Sequence, residues 1–205
     1  MKKGLLLVVS GPSGAGKGTI CAGLRARRPE IRVSTSVTTR SPRPGEIEGV
    51  HYFFRTEEEY DELLAQNAFL EHAEVHGHRY GTLKRVVQDM LAVGDDVILE
   101  IDIQGALAVK ESFPDAVLIF ILPPSMEELK RRLVNRGTET EESLRRRLKN
   151  AYHELTFMER YDYTVINDVV ETAVDEAEAI IVAEKCSVAR NFGIEKKISE
   201  GERVL

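Results

Sequence analysis

The segment that most constrains this chain is Gly11 to Thr19, GPSGAGKGT, lying directly behind the apolar run LLLVVS at residues 5–10. An apolar strand that enters a glycine-rich turn and then a helix is the setting in which backbone N–H groups and a helix N-terminus converge on an anion. Ile20 and Leu24, spaced i, i+4, give the following helix its buried side. The spacing follows the phosphate-loop pattern G-x-x-x-x-G-K-[ST] except at its last place, where Gly18 stands instead of a hydroxyl residue that would meet Mg²⁺. Lys17 is expected to reach the terminal phosphates of a nucleotide, and Thr19 to bond a phosphate oxygen. Mg²⁺ commonly keeps several waters, so a water-coordinated ion needs no side-chain ligand from position 18. Read alone, the segment also fits a plain strand-to-helix turn with a surface lysine.

Further apolar runs read as strands buried on both faces: DVILEID (96–102), AVLIFIL (116–122) and YTVIND (163–168). Helical patterns at Thr19 to Arg28, Leu83 to Val93, Gln104 to Phe113 and Val170 to Ala189 fill the gaps. That alternation predicts an α/β fold: a parallel sheet of the P-loop NTPase type, flanked by helices and joined by right-handed crossovers. Two insertions break the rhythm. Between Ser34 and Gln88, turn residues Pro42, Pro44, Gly45, Gly49 and Gly77 and short aromatic strands around HYFF and FLEHAEV predict a small mixed sheet. After Pro123-Pro124, SMEELKRRLVNRG reads as a helix capped by Ser125, and TETEESLRRRL opens another through a Thr138 to Glu141 capping pair. The tail after Arg190 is polar, lacks periodicity and is expected to be loosely ordered.

With 205 residues the chain can bury a sizeable core, and its net charge of -6 gives no global pull toward nucleic acid or an anionic membrane. Any bound anion must therefore be captured by local groups. Cys21 and Cys186 lie far apart and among helix-compatible residues, which suggests buried apolar roles rather than a disulfide or a zinc site. The opening Met1-Lys2-Lys3 followed by GLLLVV imitates a secretion signal, but the run stops at Ser10-Gly11-Pro12, so a cytoplasmic protein is expected.

The motifs together resemble the guanylate kinases, nucleoside monophosphate kinases that phosphorylate GMP with ATP. The resemblance spans about residues 4 to 185 and rests on GPSGAGKGT, TTRSPRPGE with YF, FLEHAEVHGHRYGT, ILEIDIQG, RGTETEES with RRRL, and VIND, in that order. Gly18 departs from the serine many members carry, and Glu100 from their aspartate. The resemblance implies a core of 1–33, 89–124 and 161–189, a GMP-binding insertion at 34–88, a helical lid at 125–160 and a tail at 190–205. It implies ATP contacts from Gly11, Pro12, Ser13, Gly14, Ala15, Gly16, Lys17, Gly18 and Thr19, with Asn167 of VIND near the adenine. Mg²⁺ is implied as the companion of ATP, held through water near the loop.

For GMP, the resemblance assigns the phosphate to Arg40, Arg43, Tyr52 and Tyr80, and the base to Glu71, Ser36, Thr82 and Asp102. The chemistry agrees. Arg40 and Arg43, on a proline-stiffened loop, can present two guanidinium forks to a phosphate monoester. A carboxylate such as Glu71 suits the N1–H and N2–H₂ donors of guanine, whereas adenine offers an acceptor at N1; Ser36 can donate to O6. Without the resemblance a solvated basic loop stays the alternative for the arginines, and Glu71 reads as an ordinary strand carboxylate. His72, His76 and His78 with Glu71 and Glu74 tempt a metal reading, but their alternation on a strand pair favours side chains facing water.

On the second insertion, Leu144, Leu148, Ala151 and Leu155 form an apolar stripe that Arg145 and Arg147 flank, with Arg146 opposite. Arg147, and Arg136 in NRGTE, match catalytic arginines of the family and join Lys17 as expected catalytic groups; a solvated helix face is the alternative. Two other classes stay open for the whole chain. One is a non-catalytic guanylate-kinase-like binding module, and the other is a kinase for a different nucleoside monophosphate.

Overall fold

The computed structural model describes residues 3–75, 77–135, 141–201 and 203. Strand β1 (Leu6–Ser10) leads through the glycine loop into helix α1 (Lys17–Arg27), and β2 (Arg32–Val33) follows. The first insertion holds β3 (Val37–Thr38), β4 (Phe53–Phe54), α2 (Glu57–Ala65), β5 (Phe69–Val75) and β6 (His78–Leu83). The chain returns through α3 (Lys84–Ala92), β7 (Val97–Glu100), α4 (Ile103–Ser112) and β8 (Val117–Leu122). Helices α5 (Met126–Val134) and α6 (Glu141–Leu155) form the second insertion, and β9 (Tyr163–Ile166), α7 (Val170–Cys186) and α8 (Ile194–Ser199) complete the order.

The main sheet has the order β2-β7-β1-β8-β9 and is parallel throughout, with β1 at its centre. Every residue of β1 is buried, which is why LLLVVS reads as a continuous apolar run instead of an alternating one. Because successive side chains point to opposite faces, Leu5, Leu7 and Val9 pack under α1 and α7 with Ile20, Leu24, Ala173 and Ala177. Leu6 and Val8 pack on the other face with Val87 and Leu91 of α3 and Ile103, Ala106 and Val109 of α4. This arrangement puts the C-terminal ends of β1 and β7 side by side, with Val9 paired to Glu100.

The first insertion forms its own sheet, β4-β3-β6-β5, in which one parallel pair joins two antiparallel ones. It also contains α2, which the expectation of a purely mixed sheet omits. Thr56 and Glu59 cap that helix reciprocally, and its Tyr60 is buried, stacks on Phe69 at 4.6 Å and donates to the Tyr80 carbonyl at 2.8 Å. Helix α3 runs across residue 88, the expected edge of the insertion, and its Val87 and Leu91 join the main core.

Helices α5 and α6 pack through Leu129, Leu133 and Ala151, with Leu144 and Leu148 against them, so most of the apolar stripe faces α5; Leu155 instead meets the main core. Ser125 caps α5 as its sequence suggests, whereas Thr138 lies outside the described residues, as does His76.

The tail after Arg190 carries a short helix, α8, none of whose residues is buried, while Arg190 ahead of it bridges Glu184 (2.8 Å) and the Asp115 carbonyl (2.8 Å). One expectation is corrected. Cys186 is exposed, being the last residue of α7, while Cys21 is buried; both thiols are free. Among the described residues no helix is long and apolar enough to cross a membrane.

Candidate active site

The glycine loop wraps the start of α1. Gly16 ends it in the left-handed region, with φ 96°, and a Cβ there would lie 2.1 Å from Asn167 Nδ2, so both conformation and contact demand glycine. Among the described residues no side chain caps α1, so its first backbone N–H groups are disposed as an anion would need them. Lys17 folds its ammonium onto the loop's own carbonyls, donating to Gly11 O at 2.7 Å and Pro12 O at 3.2 Å. Ala15 is buried, and its carbonyl accepts from Asn167 Nδ2 at 2.8 Å. Asn167 is buried too, and its Oδ1 has no hydrogen-bond partner among the described residues.

Two lid-side arginines reach the loop. Arg147 of α6 donates to Ser13 Oγ at 3.3 Å. Arg132 of α5 donates to the Asn167 carbonyl at 2.9 Å and to Ala15 O at 3.4 Å, while Glu128 holds its Nε at 2.7 Å. Sequence reading missed Arg132, one cation in the run KRR, because nothing in that run tells a loop-facing arginine from a solvated one. Arg136 lies outside the described residues.

A cavity of about 480 Å³ opens over the loop, lined by Ser13, Gly14, Gly16, Lys17, Gly18, Thr19 and Glu100. The side-chain polar groups around it are two hydroxyls, the Lys17 ammonium and the Glu100 carboxylate. A Cβ on Gly18 would stand 3.4 and 3.5 Å from the two Glu100 carboxylate oxygens. The two departures from the family pattern are thus neighbours in space.

On the insertion and at its border with α4, two groups of expected site residues come together. Arg40, Tyr52 and Tyr80 form one: the guanidinium lies 5.4 Å from the centre of the Tyr52 ring, and that ring meets Tyr80 nearly edge-on at 6.0 Å. Arg40 is also gripped bidentately by Glu46, at 2.8 and 3.0 Å. Arg43 joins through its backbone N–H, which donates to Glu46 at 2.6 Å, while its side chain is exposed. Hydrogen bonds from Arg40 and from the Arg43 backbone hold the Glu46 carboxyl down at about 2. Glu46 was legible as the last letter of TTRSPRPGE but drew no role from sequence.

Glu71, Thr82 and Asp102 form the second group. Glu71 is buried at 9% exposure on β5, and the hydroxyl of its cross-strand partner Thr82 donates to Oε1 at 2.6 Å. Burial raises the Glu71 carboxyl above its usual range, the Asp102 charge adds to the rise, and the Thr82 bonds oppose it. Asp102 caps α4 by accepting the Gly105 N–H at 2.8 Å. Ser36 is half-buried one residue ahead of β3, and its carbonyl accepts the Phe53 N–H at 2.9 Å. Glu154 of α6, unforeseen in sequence, is drawn into the same electrostatic field: burial raises its carboxyl, Lys17 opposes the rise and Asp102 adds to it. Among the described residues no group of three or more His, Cys, Asp or Glu side chains is placed to hold a metal.

Comparison with known proteins converges on one family. A guanylate kinase family model matches residues 3–184. A protein of Caldanaerobacter subterraneus subsp. tengcongensis named guanylate kinase is 56% identical over 199 residues, covering 97% of this chain and 97% of the relative. One from Clostridium perfringens with the same name is 58% identical, covering 92% of this chain and 87% of the relative. The crystal structure of a guanylate kinase from Anaplasma phagocytophilum, 35% identical, superposes with a TM-score of 0.76 over 98% of this chain and 96% of that one.

Proposed function

The chain belongs to the guanylate kinase family, and on that premise we propose how its residues carry the transfer of the γ-phosphoryl group from ATP to GMP, giving ADP and GDP. One observation supports the assignment most. The buried Glu71 carboxylate is fixed by Thr82 beside Asp102, while the uncapped phosphate loop lies at the end of β1 in the same fold. A base reader and a triphosphate cradle are what such a transfer needs.

Phosphoryl transfer asks the protein for positioning and charge neutralisation more than for covalent chemistry. The attacking group is an oxygen of the GMP phosphate, already ionised near pH 7, so no protein base is required. Arg40 and Arg43 take that phosphate with Tyr52 and Tyr80, and Glu46 releases Arg40 as the substrate enters. Glu71 accepts from guanine N1–H and N2–H₂, Ser36 donates to O6, the Thr82 hydroxyl keeps Glu71 in place, and Asp102 completes the base pocket from the start of α4. Adenine, with an acceptor at N1, leaves the buried carboxylate facing a lone pair, a mismatch worth roughly 10⁴ or more in discrimination.

On the ATP side, Lys17 leaves the Gly11 and Pro12 carbonyls for the β- and γ-phosphates, while the backbone of residues 11–19 encloses them. The unpartnered Oδ1 of Asn167 is an acceptor suited to the adenine amino group. Arg147, already on the loop at Ser13, and Arg136 close over the transferring phosphoryl and exclude water, which would otherwise hydrolyse ATP. The cavity suits Mg²⁺, an ion that takes one or two carboxylates and otherwise keeps water or phosphate oxygens. Glu100 and Thr19 would hold it through water, and when bound with ATP the ion screens the phosphate charges.

The same pocket admits dGMP, since none of the base contacts involves the ribose. A cytoplasmic role in purine metabolism, recycling GMP, fits the two free thiols and the intracellular substrates. A coupled assay of ADP release with AMP, CMP, UMP, GMP and dGMP tests the reading. Turnover with GMP and dGMP is expected. No turnover with any would favour a binding module, and a preference for AMP would sink the guanine pocket.

A further inference from the structure

Gly105 occupies the third position of α4, at an ordinary helical φ, where alanine would form the better helix. Its backbone is therefore not the reason for a glycine. The reason lies across the helix surface: a Cβ there would stand 3.1 Å from Glu71 Oε2 and 3.4 Å from Asp102 Oδ1. The first of these is tighter than side chains normally tolerate. Glu71 has little room to yield, because Thr82 grips its other oxygen at 2.6 Å and both residues are buried in the β5–β6 pair.

We propose that Gly105 is a specificity-determining positioning residue, whose missing side chain lets α4 close on Glu71 and leaves Oε2 aimed at the guanine edge. The inference rests on Glu71 as the reader of guanine. A Cβ at position 105 displaces the carboxylate by a few tenths of an ångström. That shift misaligns the acceptor toward two N–H donors at once, while the loop, the arginines and the Gly105 N–H bond to Asp102 stay as they are. The defect should therefore fall on GMP affinity and not on the chemical step.

Gly105→Ala separates this role from a structural one. The melting temperature is expected to hold or rise, while KM for GMP rises about tenfold, as when a positioned hydrogen bond is misaligned. KM for ATP and kcat at saturating GMP should move by less than about twofold. In a Glu71→Asp background, whose shorter arm draws the carboxylate back from α4, the same alanine should add little further KM. A Gly105→Ala protein with parental KM for GMP overturns the proposal, whatever its stability. So does one that fails to fold, because packing would then reject the Cβ before substrate enters. Glu71→Gln serves as the separate control: an unchanged KM for GMP in that variant overturns the guanine reading itself, whereas a large rise with no effect of Gly105→Ala overturns only the role of Gly105.

Discussion

Placing serine at position 18 restores the hydroxyl that the phosphate-loop pattern calls for and measures what the loop does without it. A Cβ there meets the Glu100 oxygens at 3.4 and 3.5 Å, ordinary contact distances, so the backbone accepts the side chain without rearrangement. Residue 18 is exposed in the first turn of α1, and replacing glycine by serine in a helix gains about 0.5 kcal/mol. In a chain of this length that raises the melting temperature by about 1 to 2 °C. The new hydroxyl has two partners within reach: Glu100, or a water of the metal. A metal held mainly by water and phosphate gains little from either, so kcat/KM for GMP should stay within about tenfold of the parent, or roughly 1.4 kcal/mol. The assay is ADP release at several Mg²⁺ concentrations, with a thermal melt beside it. A change in kcat/KM beyond tenfold in either direction would show that position 18 controls the chemistry and refute a water-held ion.

Three further substitutions probe the charges. Lys17→Ala and Arg147→Ala should each lower turnover with GMP by about 10³ or more, the scale of an arginine acting on a transferring phosphoryl group; near-parental turnover in either, measured by ADP release, removes that residue from the catalytic set. Glu46 titrates at about 2 in the folded protein against an ordinary value of 4.5. Its folded value being depressed, the stability it contributes is present above pH 4.5 and lost as pH falls toward 2. Urea unfolding from pH 6 to pH 3 should thus show Glu46→Gln less stable than the parent at the upper end, with the gap closing as pH falls; a constant gap contradicts the pairing.

The core was legible because its strands are buried on both faces, so each of LLLVVS, AVLIFIL and the neighbouring runs announces itself without help from distant residues. The phosphate loop was legible for a similar reason, since its glycines and lysine act through local backbone geometry. Helix α2 was missed although Thr56 and Glu59 carry a capping signature, because the aromatic residues on either side set the expectation of strands. Arg132 and Glu154 were missed for a different cause. Each lies in a charged helix whose sequence looks the same whether the side chain meets solvent or the loop, and only the docking of α5 and α6 decides. The contact of Arg190 with the Asp115 carbonyl is likewise long-range, and no local pattern contains it. Cys186 is exposed because it is the last residue of α7, beyond the buried positions Ala173, Val174, Ala177 and Ile181.

If Arg40 takes the GMP phosphate as proposed, the grip of Glu46 on it sets a threshold for what can enter there. Any incoming anion competes with a carboxylate that is already in place, singly charged and tethered at high effective concentration. A ligand with one negative charge and two oxygens offers Arg40 nothing that Glu46 does not supply, so carboxylic acids and phosphodiesters are turned away by parity. A phosphate monoester above its second ionisation, near about pH 6, brings a second charge and a third oxygen and can outbid the resident. On that reading the resting ion pair is a reference ligand, against which the charge state of each visitor is weighed.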